Sequence, residues 1–239
     1  MLLLVCITVL VFSILVKLGF WQLDRATEKQ QLQQALVVRQ QTMPLRYQQV
    51  LKAKAQDPLT GYRLSLEVNA KDPRIILLDN QVYQGVVGYL AFQAVEVTAN
   101  QPWLLIELGF ISGTQDRRIL PRIDGLTGTQ ELSGRLYQKS INPLSEHLLA
   151  ETGNPLRIQN LNLTELAQLL QRPLAPAVLQ PQRIGDKVLN QLPRPWQPIP
   201  MAAEKHQGYA VQWFSMAGAF LILMIYLLII KIKNKHTLE

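Results

Sequence analysis

The residues best suited to chemistry lie near the two ends of the chain. His206, Tyr209, Ala210 and Trp213 recur at i, i+3, i+4 and i+7, which puts them on one face of a helix. A neutral imidazole among apolar and aromatic side chains is a ligand for a haem iron. At the other end, Trp21, Gln22 and Arg25 follow an apolar run. A guanidinium there, or Lys29 one turn on, can pair with porphyrin propionates. The same residues also describe a plain interfacial belt, with aromatics at head-group level and cations snorkelling to water. On the residues alone both readings stand. One is a haem site with His206 as axial ligand and Tyr209, Trp213, Trp21 and Arg25 around it; the other is a set of membrane anchors.

Elsewhere the chemistry is thin. The sequence has no phosphate-binding glycine loop, no HExxH and no GxSxG. Ser145-Glu146-His147 is a local run beside Pro143 and reads as surface loop, and His236 belongs to a basic tail. Asn162-Leu163-Thr164 matches a glycosylation sequon, but Asn162 with Glu165 three positions on also reads as a helix N-cap. No enzyme is expected, and no metal site beyond the possible haem iron at His206.

These residues must be positioned by helices that cross a membrane. Leu2–Trp21 carries one charge, Lys17, and Tyr209–Ile230 carries none. Each is long enough to span a hydrocarbon core about 30 Å thick at about 1.5 Å per residue. The first segment lacks a basic n-region and a small-x-small cleavage site, so an uncleaved anchor is expected. Lys231, Lys233 and Lys235 after the second segment favour cytoplasmic termini, with the long central region outside.

The expected order is a first membrane helix over 1–23, a helical extension over 24–43 stopped by Pro44, and a mainly β domain over 44–192. A Pro-rich strut over 193–200, a helix over 201–230 containing the second span, and a basic tail over 231–239 complete it. Within the domain, alternating or branched-rich runs predict strands at 63–69, 74–78, 86–97, 103–111, 130–138 and 156–161, and one helix over 163–171. The fold class is α+β: a two-helix transmembrane hairpin enclosing one mainly antiparallel extramembrane domain, a small barrel or a sheet with a short helix. The net charge of +7 suits anionic lipid head groups or an acidic partner. No basic cluster coincides with a helix or with stacking aromatics, so nucleic acid is not expected. Cys6 is the only cysteine and lies in the first apolar segment, which excludes a disulfide scaffold and a CxxC or thiolate copper site.

Leu18-Gly19-Phe20-Trp21-Gln22-Leu23-Asp24-Arg25 resembles the LGxWQ(L)xR run that opens the surfeit locus protein 1 family. His206-Gln207-Gly208-Tyr209-Ala210-Val211-Gln212-Trp213-Phe214 is similar to that family's passage into its second membrane helix. Between them, Gly85–Tyr89, Leu104–Phe110 and Ser133–Leu136 resemble its strand motifs in the same order. The resemblance, to a bacterial member, implies an accessory factor for assembly of a haem–copper terminal oxidase (cytochrome c oxidase) in the cell inner membrane, its domain in the periplasm. It further implies help with haem a insertion into subunit I or with its stabilisation, contact with subunit I and with haem a synthase, and His206 as the ligand. Two departures are plain: Glu107-Leu108 stands where the family has Asn-Arg, and Ala203-Glu204-Lys205 replaces an Asn-rich approach to the histidine. A membrane-anchored ligand-binding, scaffold or sensor module without haem is the alternative. Gly85, Gly88, Gly109 and Gly134 are expected to serve turns or bulges.

Overall fold

The computed structural model describes residues 2–54, 57–139 and 146–236, with the side chains of 3–233 within those ranges. Ser145, Pro143 and the end of the basic tail lie outside the described residues or side chains. The chain forms two compact units, one of residues 1–35 with 199–239 and one of residues 36–198.

The first unit is made by two helices, most of α1 (Leu2–Gln41) and α5 (Ala203–His236). Each is long and apolar enough to cross a membrane, with windows of mean hydropathy 2.6 and 2.4 that are almost wholly exposed. The buried positions are small residues seven apart: Gly19 and Ala26 in α1, and Ala203, Ala210 and Ala217 in α5. That period keeps one narrow stripe of a helix covered along its length. The Phe214 ring lies across Gly19, where an added Cβ would meet it at 2.6 Å, and stacks edge-on against Phe20 at 5.3 Å. No side chain larger than glycine fits beneath that ring without moving it.

The second unit is a sheet of seven strands in the order β1-β5-β7-β4-β3-β2-β6. The strands are β1 (Arg63–Ala70), β2 (Ile75–Tyr83), β3 (Val86–Val95), β4 (Trp103–Ser112), β5 (Gly128–Tyr137), β6 (Leu156–Ile158) and β7 (Leu174–Arg183). Among the described residues, β4–β7 and β2–β6 pair in parallel and the other pairs are antiparallel. The sheet curls until Asn69 and Glu96 exchange both backbone hydrogen bonds, at 2.7 and 3.0 Å, joining β1 to the chain just after β3. The result is a partly closed barrel.

Alternation along β4 explains both of its faces. Leu104, Ile106 and Leu108 enter the barrel interior with Leu64, Leu132 and Leu179, while Trp103 and Leu105 face the opposite layer. That outer layer is closed by α3 (Leu163–Leu170), which plants Leu166 and Leu170 on Phe92 and Val178. Asn162 caps α3, its side chain accepting from the Thr164 and Glu165 N–H groups at 3.0 Å each.

Strand β7 is absent from the sequence-based expectation, and so are the short helices α2 (Tyr47–Lys52) and α4 (Lys187–Gln191). Pro176 and Pro181 argue against an interior strand, since proline cannot donate to a ladder. Both fall at irregularities. Pro176 sits where the register with β4 shifts between Leu174 and Val178, and Pro181 lies opposite Gly134, beside a shift in the β5 ladder. Gly134 is needed there for space: a Cβ would stand 2.1 Å from the Gln180 carbonyl oxygen and 2.7 Å from Pro181 Cα.

Candidate functional site

The seven-residue spacing of the covered stripe puts His206 and Gln22 at equivalent places, each three residues after a buried small residue and four before the next. The two meet. His206 Nδ1 lies 2.8 Å from Gln22 Oε1 in a partly buried contact. An amide oxygen only accepts, so Nδ1 carries a proton, and in the neutral ring that leaves the Nε2 lone pair for a metal. Histidines that bind metals are commonly held in this way, the second nitrogen donating to an oxygen that fixes tautomer and ring plane. On that geometry His206 fits an iron ligand.

The other sequence-predicted residues are placed less uniformly. Trp213 is half-buried one heptad along α5 from His206, and Ala210 is buried between them. Tyr209 is 41% exposed and Trp21 48% exposed. The Arg25 guanidinium bonds Glu28 at 2.7 Å and stands 5.7 Å from the Trp21 ring centre, so its charge already has a partner on its own helix. The hairpin therefore joins His206 to Gln22, and no contact among the described residues brings Trp21, Arg25 or Tyr209 to His206. Gln22 was not among the predicted ligand-site residues. Its signal is the shared offset from Gly19 and from Ala203.

A second cluster surrounds Glu107 in the β unit. The β4 ladder bulges at Leu108, so that Ala91 pairs Gly109 and Phe92 pairs Glu107. Gly109 has φ +136°, and a Cβ there would meet Leu192 Cβ at 2.5 Å. Glu107 precedes the bulge and follows Trp103 and Leu105 on the outer-layer face of the strand, where it is 5% exposed. Gln180 Nε2 donates to Glu107 Oε1 and to the Pro195 carbonyl, both at 3.1 Å, and its own Oε1 accepts from Arg135 at 3.2 Å. The Arg135 guanidinium lies 4.3 Å from the Trp196 ring. Burial raises the Glu107 carboxyl to about 7, against the opposing pull of the Gln180 hydrogen bond and the Arg194 and Arg135 charges. The Phe110 N–H donates to Pro193 and Arg194 donates to the Leu108 carbonyl, so the Pro-rich segment is fastened along β4.

Two long apolar helices paired through a polar rung, together with a curled β unit, define a two-pass membrane protein. The SURF1 family sequence model matches residues 9–218, most of the chain, and the protein belongs to that family. SURF1 proteins are cytochrome oxidase assembly factors. Comparison with curated proteins gives no match.

Proposed function

We propose that this protein assists biogenesis of a haem–copper terminal oxidase by holding haem a in passing at His206 while subunit I receives it. The observation that carries the reading is the His206–Gln22 rung, which occupies Nδ1 and leaves Nε2 as the ring nitrogen available to a ligand. Trp213, Tyr209 and Trp21 would offer apolar and aromatic surface to the macrocycle, and Arg25 would pair with a propionate after leaving Glu28. Bound there, the haem supplies an iron that accepts the imidazole; the protein's own part is to bind, orient and release it. The role is one of hand-over, not turnover.

In this reading the protein lies in the cell inner membrane with both termini cytoplasmic and the β domain periplasmic, in contact with subunit I and haem a synthase. Lys231, Lys233 and Lys235, in the last turns of α5, support that orientation.

The test is an optical spectrum of the detergent-purified protein from cells that make haem a, beside His206→Ala and an unrelated membrane protein. A stoichiometric haem a band lost in His206→Ala is the expected result. Equal background in all three overturns the haem site and leaves a scaffold acting through its β domain.

A further inference from the structure

The β unit contains a cavity of about 550 Å3. That volume lies within the range of small-molecule sites, about 300–1,000 Å3. Phe92, Phe110 and Trp196, with Leu78, Val82 and Leu90, give it apolar and aromatic walls.

Its charged groups narrow the ligand. Asp79 is already matched: Oδ1 takes the Arg117 guanidinium at 2.5 Å and the Asn80 N–H at 2.7 Å, and Oδ2 takes the Gln159 amide at 3.3 Å. Glu107 gives one oxygen to Gln180, and burial holds the carboxyl largely neutral near pH 6. Arg135 and Arg194 add positive field around it. Lys139 also lines the cavity, half-buried, and has no carboxylate partner among the described residues. The Tyr137 hydroxyl, a second lining donor, makes no hydrogen bond among the described residues. A cationic ligand would meet an excess of positive charge here, and a neutral apolar one would leave the ammonium unpaired beside it.

We propose that this cavity binds a small aromatic or apolar molecule bearing one carboxylate, with its anion on Lys139 and Tyr137 and its body against Phe92, Phe110 and Trp196. A single ammonium with one hydroxyl suits a monoanion better than a phosphate dianion, which calls for more donors.

The experiment is calorimetric titration of the full chain in lipid nanodiscs at about pH 6, roughly a unit below the Glu107 value. The probes are 2-naphthoate, its neutral carboxamide and 2-naphthylmethylammonium, and empty nanodiscs are the blank for partitioning into lipid. Saturable one-to-one binding of naphthoate is expected, about tenfold tighter than the carboxamide, with no saturable binding of the ammonium. Lys139→Met should bring naphthoate down to the affinity of the carboxamide and leave the carboxamide unchanged, and Lys139→Arg should restore most of the difference. The proposal is overturned by heats no greater than the blank, by equal affinities for the three probes, or by a Lys139→Met protein that still prefers the carboxylate. These outcomes do not depend on His206, so failure here leaves the haem reading standing.

Discussion

Glu107 and Gln180 meet inside the β unit, carboxyl oxygen to amide nitrogen at 3.1 Å, on two strands that pair in parallel. The amide also reaches the Pro195 carbonyl at 3.1 Å, so one side chain ties the acid to the Pro-rich segment. Burial of the acid makes its charge state matter to folding.

Glu107 should make stability fall as pH rises. Its carboxyl is raised from the ordinary 4.5 to about 7 in the fold, so between those values the native state holds the proton more tightly than the unfolded chain does. The contribution is full below about 4.5, declines above it, and is lost as pH passes 7. The difference is up to about 3 kcal/mol, on the order of 1.4 kcal/mol per pH unit. Glu107→Gln should lose that slope and be the more stable protein at pH 8. Thermal unfolding of the two proteins from about pH 5 to 8 gives the comparison, and parallel curves would count against a neutral Glu107.

Gly134→Ala and Gly85→Ala should differ sharply in cost. At Gly134 the new methyl meets backbone atoms at 2.1 and 2.7 Å, which can move only by parting β5 from β7. A loss of about 3 kcal/mol or more is expected, the scale of overpacking a tight core. Gly85 has φ +80° and open space around it, so the change there costs only backbone strain, about 1–2 kcal/mol. Chemical denaturation followed by tryptophan fluorescence separates them; equal losses would refute the close approach at Gly134.

Gln22→Leu should change the tautomer of His206. The amide oxygen holds the proton on Nδ1. Without it, the neutral ring is expected to move toward Nε2–H, the form usual in water. Imidazole 15N shifts of the neutral side chain report the change directly. Nδ1–H dominance surviving in the variant would mean that Gln22 does not set it.

Asn162→Ala should cost about 1 kcal/mol, as for other side-chain caps. The amide oxygen accepts from two N–H groups at the start of α3, and the helix it caps carries Leu166 and Leu170 into the outer layer. Asn162→Asp, which keeps the acceptor, should cost much less. Thermal melts of the three proteins decide it.

Much of this arrangement was legible in the residues, for physical reasons that differ by element. β4 and β3 announce themselves because a strand buried on both faces is apolar throughout. The two helices at the ends stand out by length and lack of charge. β7 stayed hidden because Pro176 and Pro181 imitate a loop, and only the ladder irregularities opposite them make a strand possible. α2 and α4 have six and five residues, too few for a helical period to show. The face bearing His206 and Trp213 followed from spacing alone. Its partner Gln22 did not, because which side of α1 faces α5 depends on packing between helices. Glu107 was visible in the sequence, but its raised carboxyl follows from burial between β4 and the unrecognised β7, whose Gln180 hydrogen bond pulls the other way.

The Gln22–His206 rung has one more consequence, for alignment. Small residues repeating every seven positions fit almost equally well after one helix slides by a whole repeat, so shape alone indexes the hairpin poorly. Sliding by seven would set His206 against Leu15 or Lys29, neither of which can accept its N–H, and Gln22 against Ile199 or Trp213. Each partly buried group left unmatched costs about 1–3 kcal/mol. A single polar pair thus works as the detent of the hairpin, selecting one notch from a ladder of near-equivalent ones and setting the height at which the imidazole is presented.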